Sequence, residues 1–264
     1  MKKLIFCDID GTIIDGSRNL NELTQKTRTA IRKLCVDNYV FIASGRCKGL
    51  LDKQIIDLHP NGYILCNGAY GEMDEKEIYS LTFDKETVEL IKKISLDNGG
   101  FYLLESINEI YVENLHNPAF ELFMDTWGAT LGGFRTDDNV FRDYNIAMIG
   151  FTSEEMVLKT QNELGPFTNL GRHHGGFLSF DVNIKGVDKG LGVRKMMEHL
   201  GISKEDTYCF GDGINDLEML QSVGHPVIMA NSDERLKTYG FEETDDVLED
   251  GFYRYLIRKG LIDD

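Results

Sequence analysis

The run Lys3-Leu4-Ile5-Phe6-Cys7, closed by Asp8-Ile9-Asp10-Gly11-Thr12, decides the reading of this chain. Four apolar residues of strand character end abruptly in two acids and a glycine, as a buried strand does where it leaves a sheet. The pattern recurs downstream. From Leu23 to Val36, apolar Ala30, Ile31, Leu34 and Cys35 fall at helical spacing, with Thr24 placed to cap them. Tyr39 to Ala43 reads as a second buried strand, ended by Ser44-Gly45-Arg46. A helix over about Leu50 to Leu58 follows, then a third strand, Tyr63 to Cys66, ended by Asn67-Gly68. Strand and helix in alternation predict a parallel α/β sheet, in which ligands sit at the carboxyl ends of the strands. The polar breaks named here fall at those ends.

The middle of the chain has another texture. Val88 to Ile94 reads as helix, Phe101 to Leu104 and Ile110 to Val112 as a hairpin, and Pro118 to Met124 as a short helix. Asn145 to Phe151 and Phe177 to Val182 read as strands flanking a helix near Glu154 to Leu164. Paired strands with helices predict a separate α+β lobe over Phe83 to Lys185. The first texture then returns: a helix from Lys189 to His199, a strand Thr207 to Phe210, and Gly211-Asp212-Gly213. A helix near Asp216 to Val223, a strand Pro226 to Met229 and a helix near Phe252 to Lys259 complete it. The expected organisation is a core of residues 1–82 and 186–264 interrupted by an inserted domain of residues 83–185.

Composition narrows the function. The 264 residues carry 28 basic and 44 acidic side chains, a net charge of −16, which argues against nucleic acid and anionic membranes as partners. Apolar and charged fractions of 42% and 27% are those of a globular protein, not of a disordered chain or a coiled coil. No apolar run approaches the roughly 18 residues of a membrane span. The N-terminal run meets Asp8 too early for a signal peptide. Five widely spaced cysteines without a CxxC pair read as free thiols in a reducing compartment, so a cytoplasmic location is expected, with no obligate protein partner.

Asp8 and Asp10 carry the sharpest chemical signal. Their alternation puts both on one side of an extended segment. A carboxylate can attack phosphorus to form an aspartyl phosphate, and a neighbouring acid can move the proton. Alone, such a pair is a weak signal and reads more readily as a solvated turn. Ser44 adds a hydroxyl, Lys189 a compact positive charge at a helix start, and Asp212 and Asp216 the hard oxygens that Mg²⁺ prefers. Carboxylates converging on a phosphate repel at about 4 kcal/mol per pair for 4 Å separation and a surface-like dielectric, so a lysine and a divalent cation are both expected.

These four pieces resemble the motifs of the haloacid dehalogenase superfamily of phosphohydrolases: DIDGT at Asp8 to Thr12, SGR at Ser44 to Arg46, Lys189 within VDKG, and GDGIND at Gly211 to Asp216. Their order, Asn67-Gly68-Ala69 before the insert, and the insert's place between the second and third motifs are similar to the Cof-type subfamily with a large α/β cap. The resemblance spans the whole core and reaches the cap only in length and texture. It implies a Rossmann-like parallel-sheet core and a phosphatase acting on a small phosphorylated metabolite, hexose or pentose phosphates foremost, with Mg²⁺ as cofactor. It implies Asp8 as nucleophile and metal ligand, Asp10 as general acid/base with a backbone contact to the metal, and Asp212 as a further ligand. Asp216 would hold metal-bound water. Ser44, Gly45, Arg46, Lys189 and Asn215 would bind the substrate. The family's usual Gly-Asn-Ala after Met229 is here Ala230-Asn231-Ser232, which puts that loop in doubt.

Two rival readings stand beside this one. A phosphomutase, similar to phosphomannomutases, would return the phosphoryl group to the same sugar. A phospho-aspartate signalling module would need a persistent phosphate, against which the acid at Asp10 argues. A dinucleotide-binding module fails because neither GxGxxG nor GxxxxGK[ST] occurs. His173 and His174 read as a solvated turn, Asp181 as an outward strand residue, Cys7 as strand packing, and Trp127 as part of the inserted domain's core.

Overall fold

The computed structural model describes residues 2–113, 115–127, 133–173 and 177–264. The strands along the chain are β1 (Leu4–Cys7), β2 (Tyr39–Ala43), β3 (Gly62–Leu65), β4 (Tyr70–Met73) and β5 (Lys76–Ser80). There follow β6 (Phe101–Glu105), β7 (Ile110–Val112), β8 (Phe134–Thr136), β9 (Ile146–Phe151), β10 (Thr168–Arg172) and β11 (Leu178–Ile184). The last are β12 (Thr207–Gly211), β13 (His225–Ile228) and β14 (Glu242–Glu243). Two compact units result, one of Met1–Gly45, Leu51–Tyr79 and Asp188–Asp264, the other of Arg46–Leu50 and Ser80–Val187.

The first unit is built on an eight-stranded sheet in the order β14-β13-β12-β1-β2-β3-β4-β5. Its six strands from β14 to β3 run parallel, and β4 turns back antiparallel on β3. The order reverses at β1: successive strands proceed to one side through β2 and β3, and the later strands to the other through β12 and β13. That reversal opens a crevice at the strands' carboxyl ends. β1 is LIFC, buried at every position, as a strand covered on both faces must be. Leu4, Phe6, Phe41, Ala43, Ile64 and Cys209 pack there against Val193 and Met196 of helix Lys189–Leu200 and Met219 and Leu220 of helix Leu217–Ser222. Helix Gln25–Asp37 starts where Thr24 accepts the amide of Thr27, as its sequence implies.

Two local expectations change. The helix expected over Leu50 to Leu58 is a 3₁₀ turn at Lys48–Leu50 followed by one α-turn, Lys53–Ile56. The turn ends at its cap Asp57, and His59, which precedes Pro60, has left the right-handed helical region at φ 50°. The β4–β5 hairpin had no counterpart in the sequence reading. Its two-residue turn is Asp74-Glu75, both left-handed at φ 49° and 62°, in place of the usual Asn-Gly signal.

The second unit carries a six-stranded sheet, β10-β11-β9-β6-β7-β8, antiparallel except between β7 and β8. One face presents Tyr102, Leu104, Ala147, Ile149, Phe151, Phe180 and Val182 to helices Lys85–Asp97 and Glu154–Leu164. Phe101, of opposite orientation along its strand, packs with Phe120 and Phe123 of helix Pro118–Trp127. The Trp127 side chain lies outside the described residues. Residues 46–50 join this unit because Gly49 donates to the carbonyl of Ile107 at 3.0 Å and Cys47 lies against the Glu105 carboxyl. Among the described residues no helix is long and apolar enough to cross a membrane.

Candidate active site

Three neighbouring strands end level with one another. Cys7 pairs with Phe210 of β12 on one side and Ile42 of β2 on the other, and the Asp8 amide donates to the Phe210 carbonyl at 3.0 Å. Asp8, Ser44 and Asp212 therefore issue from adjacent strand ends, where apolar sequence gives way to polar. Asp8 and Ser44 are buried, and Asp212 is half-buried.

Lys189 opens helix Lys189–Leu200, whose cap Asp188 accepts the Leu191 amide at 2.7 Å. Gly68 fixes where that helix begins. It sits at φ +95°, and a Cβ there would lie 2.0 Å from the Asp188 carbonyl oxygen, so only glycine allows the approach. The result is a Lys189 side chain that is 1% exposed, its Nζ 2.6 Å from Asp8 Oδ1 and 2.6 Å from Asp216 Oδ1. Asp216 turns its other oxygen to the amides of Asp212 and Gly213, both at 3.0 Å. Thr12 donates its hydroxyl to Asp212 Oδ1 at 3.1 Å. The sequence reading counted Thr12 only as the end of a strand break; the DIDGT motif itself held the signal.

Two carboxylates thus bond one ammonium, and a third, Asp212, lies beside them. Burial and the charge of Asp216 push Asp8 above the ordinary carboxylate range, against the pull of Lys189. Burial and the charges of Asp8 and Asp216 push Asp212 up as well, against the Thr12 hydroxyl. Burial pulls Lys189 down, but Asp216 and Asp8 outweigh it and hold the ammonium charged. Uncompensated negative charge of this kind, on hard oxygen donors, suits a divalent cation. One oxygen each from Asp8, Asp212 and Asp216 lie within 4.8 Å of one another, so the donor set fits Mg²⁺.

The remaining candidates are placed less centrally. Asp10 is exposed and forms a bridge with Ile14; its charge contributes to the upward push on Asp8. Asn215 is exposed on the 3₁₀ turn Ile214–Asp216. Gly45 ends the first unit's opening segment. Arg46 belongs to the second unit and donates from Nη1 to the Leu50 carbonyl at 3.4 Å.

In the second unit His173 is exposed beyond the end of β10, as expected of a solvated turn, but its ring is held on both sides. Its Nδ1 lies 2.8 Å from Ser179 Oγ and its Nε2 2.9 Å from Asp181 Oδ1, because β10 and β11 continue their pairing to His173 N and Ser179 O. His174 lies outside the described residues.

Carboxylates and a lysine at the switch point of a parallel sheet, disposed around a cation-demanding pocket of charge, define a phosphoryl-transfer enzyme of the α/β class. The profile of the haloacid dehalogenase-like hydrolases matches residues 5–256, and the chain belongs to that family. Its relatives are named as phosphatases. It is 31% identical over 280 aligned positions to a Bacillus subtilis (strain 168) protein named "Putative phosphatase YkrA", with 98% of each chain covered. It is 27% identical to the 5-amino-6-(5-phospho-D-ribitylamino)uracil phosphatase YitU of the same organism, with 96% of each covered. The solved structure of the subclass IIB sugar phosphatase BT4131 superposes with a TM-score of 0.83 at 25% identity, over 99% of this chain and 100% of that one.

Proposed function

We propose that the chain hydrolyses a primary phosphate monoester of a sugar or polyol by way of an aspartyl phosphate on Asp8. The observation that carries this is the buried Asp8–Lys189–Asp216 triad at the carboxyl ends of the central strands, whose burial costs desolvation. An Asp8 oxygen attacks phosphorus while the bond to the leaving oxygen breaks and Asp10 gives that oxygen its proton. Asp10 then takes a proton from water as the water attacks phosphorus, the bond to Asp8 breaks, and inorganic phosphate departs. Lys189 and the Ser44 hydroxyl hold the phosphoryl oxygens, with Gly45 and Asn215 completing the contacts. Asp8, the Asp10 carbonyl and Asp212 would hold Mg²⁺, with Asp216 behind them. Mg²⁺ bound there supplies the positive charge that keeps the carboxylates ionised and offsets the phosphate.

The substrate class is supported by what the relatives' names share. A ribityl phosphate and a sugar phosphate both carry phosphate on a polyhydroxylated carbon chain. The test is release of inorganic phosphate from a panel of hexose, pentose and ribityl phosphates with Mg²⁺ and with EDTA. Metal-dependent release from one of these classes is expected. Isomerised sugar phosphate without free phosphate would mean a mutase, and release confined to nucleotides would overturn the substrate class.

A further inference from the structure

Asn231 lies on the loop that leaves β13, and both ends of its amide are engaged. Nδ2 donates to the Gly11 carbonyl at 2.8 Å, and Oδ1 accepts the Val247 amide at 2.9 Å. Gly11 directly follows Asp10. It stands at φ +87°, so close to Asp212 that a Cβ would fall 2.0 Å from Oδ2. The Asp10–Gly11 turn is thus pressed against Asp212 on one side and held by Asn231 at its carbonyl.

The same loop holds Asp212. The Asp233 amide donates to the Asp212 carbonyl at 2.9 Å, and the Met229 amide to the Gly211 carbonyl at 3.2 Å. Residues 229–233 therefore tie together the two loops that carry Asp10 and Asp212. The far anchor is itself fixed: Asp246, next to Val247, takes Arg18 Nη1 on both oxygens at 3.0 Å and accepts the Leu248 amide at 2.8 Å. Asp10 is exposed, and the backbone of its turn is set by the Gly11 amide, which donates to the Ile14 carbonyl at 2.7 Å, and by Asn231.

We infer that Asn231 is a positioning residue for proton transfer, acting through the Gly11 carbonyl to direct the Asp10 carboxyl at the leaving oxygen. This rests on Asp10 being the acid/base. The test compares Asn231→Ala, Asn231→Asp and Asp10→Asn in the full chain with Mg²⁺. The substrates are p-nitrophenyl phosphate, whose leaving group needs no proton, and the best alkyl phosphate of the panel. Asn231→Asp keeps the acceptor for Val247 and loses the donor to Gly11, and it carries the test if Asn231→Ala does not fold.

In both Asn231 variants the first step with the alkyl phosphate should slow by about 10 to 100-fold, the effect of a misplacement near 1 Å. KM should hold, the p-nitrophenol burst should persist, and acid-quenched protein should carry phosphate by mass spectrometry. Equal slowing of the first step with both substrates, or wild-type kinetics in Asn231→Asp, overturns the inference. If Asp10→Asn separates alkyl from aryl substrates and the Asn231 variants do not, only the role of Asn231 falls. If Asp10→Asn shows no separation, the acid/base reading falls and takes this one with it.

Discussion

Asp8 and Lys189 form an ion pair of 2.6 Å in which the lysine side chain is 1% exposed and the carboxylate 9%. Removing the ammonium leaves Asp8, Asp212 and Asp216 facing one another. Lys189→Met should therefore cost about 3–5 kcal/mol at pH 8 in EDTA, the usual penalty for breaking a buried pair. Asp8 and Asp212 already sit above the ordinary carboxylate range, so lowering the pH lets them take up protons and part of the loss should return at pH 5. Urea titrations at the two pH values check this, and an equal loss at both would show that the acids do not sense the lysine.

Asp8→Asn should abolish turnover and leave the fold intact. The amide matches the carboxylate in size but cannot attack phosphorus. Residual activity above about one hundredth of wild type, where a lost nucleophile costs many decades, would remove Asp8 from its role. Acid-quench mass spectrometry should find no covalent phosphate on this variant.

Gly68→Ala should lower stability by about 1–3 kcal/mol, the range for a residue forced into a disfavoured backbone region. The larger effect should be on rate, because the new methyl meets the Asp188 carbonyl and moves the start of the helix that carries Lys189. Unfolding midpoints and kcat measured together should show activity falling further than stability. A variant with unchanged kcat would mean that the helix start tolerates displacement.

Glu105 gives a pH signature in the second unit. Burial and the charge of Asp181 push its carboxyl from 4.5 up to about 8, against the Cys47 thiol and His173. The folded chain keeps a proton there that the unfolded chain releases above pH 4.5, so this group's contribution is present at low pH and is lost as pH rises through 8. Glu105→Gln should therefore flatten the decline of stability between pH 5 and pH 8.5, by an amount on the order of a few kcal/mol. Thermal unfolding across that range checks it, and an unchanged slope would place the proton elsewhere.

The central strands were legible because each is a short, uniformly apolar run, the mark of a strand covered on both faces. Asp8, Lys189, Asp212 and Asp216 were legible because each breaks such a run or opens the helix after one. What joins them was not. Nothing in the order of residues says that Lys189 reaches both Asp8 and Asp216, since that depends on how closely Gly68 lets its helix approach. Asn231 escaped for a related reason: its partners are backbone groups of Gly11 and Val247, which any sequence would supply. The hairpin Tyr70–Ser80 was hidden by its turn, in which Glu75 stands where a left-handed pair usually has glycine after Asp74.

The place of β1 between β2 and β12 also sets when this enzyme can begin to work. A ribosome making the chain delivers β1 first and its second neighbour only after the whole inserted unit has emerged. Until Thr207 and its successors arrive, Leu4 to Cys7 have one unpaired edge, and the nucleophile has neither Asp212 nor Asp216 beside it. Among the described residues the inserted unit has a core cluster of its own, from Phe83 to Val182, which can close during that interval. Catalytic competence therefore arrives late in synthesis, and an interrupted chain carries an exposed strand in place of a partly working phosphatase.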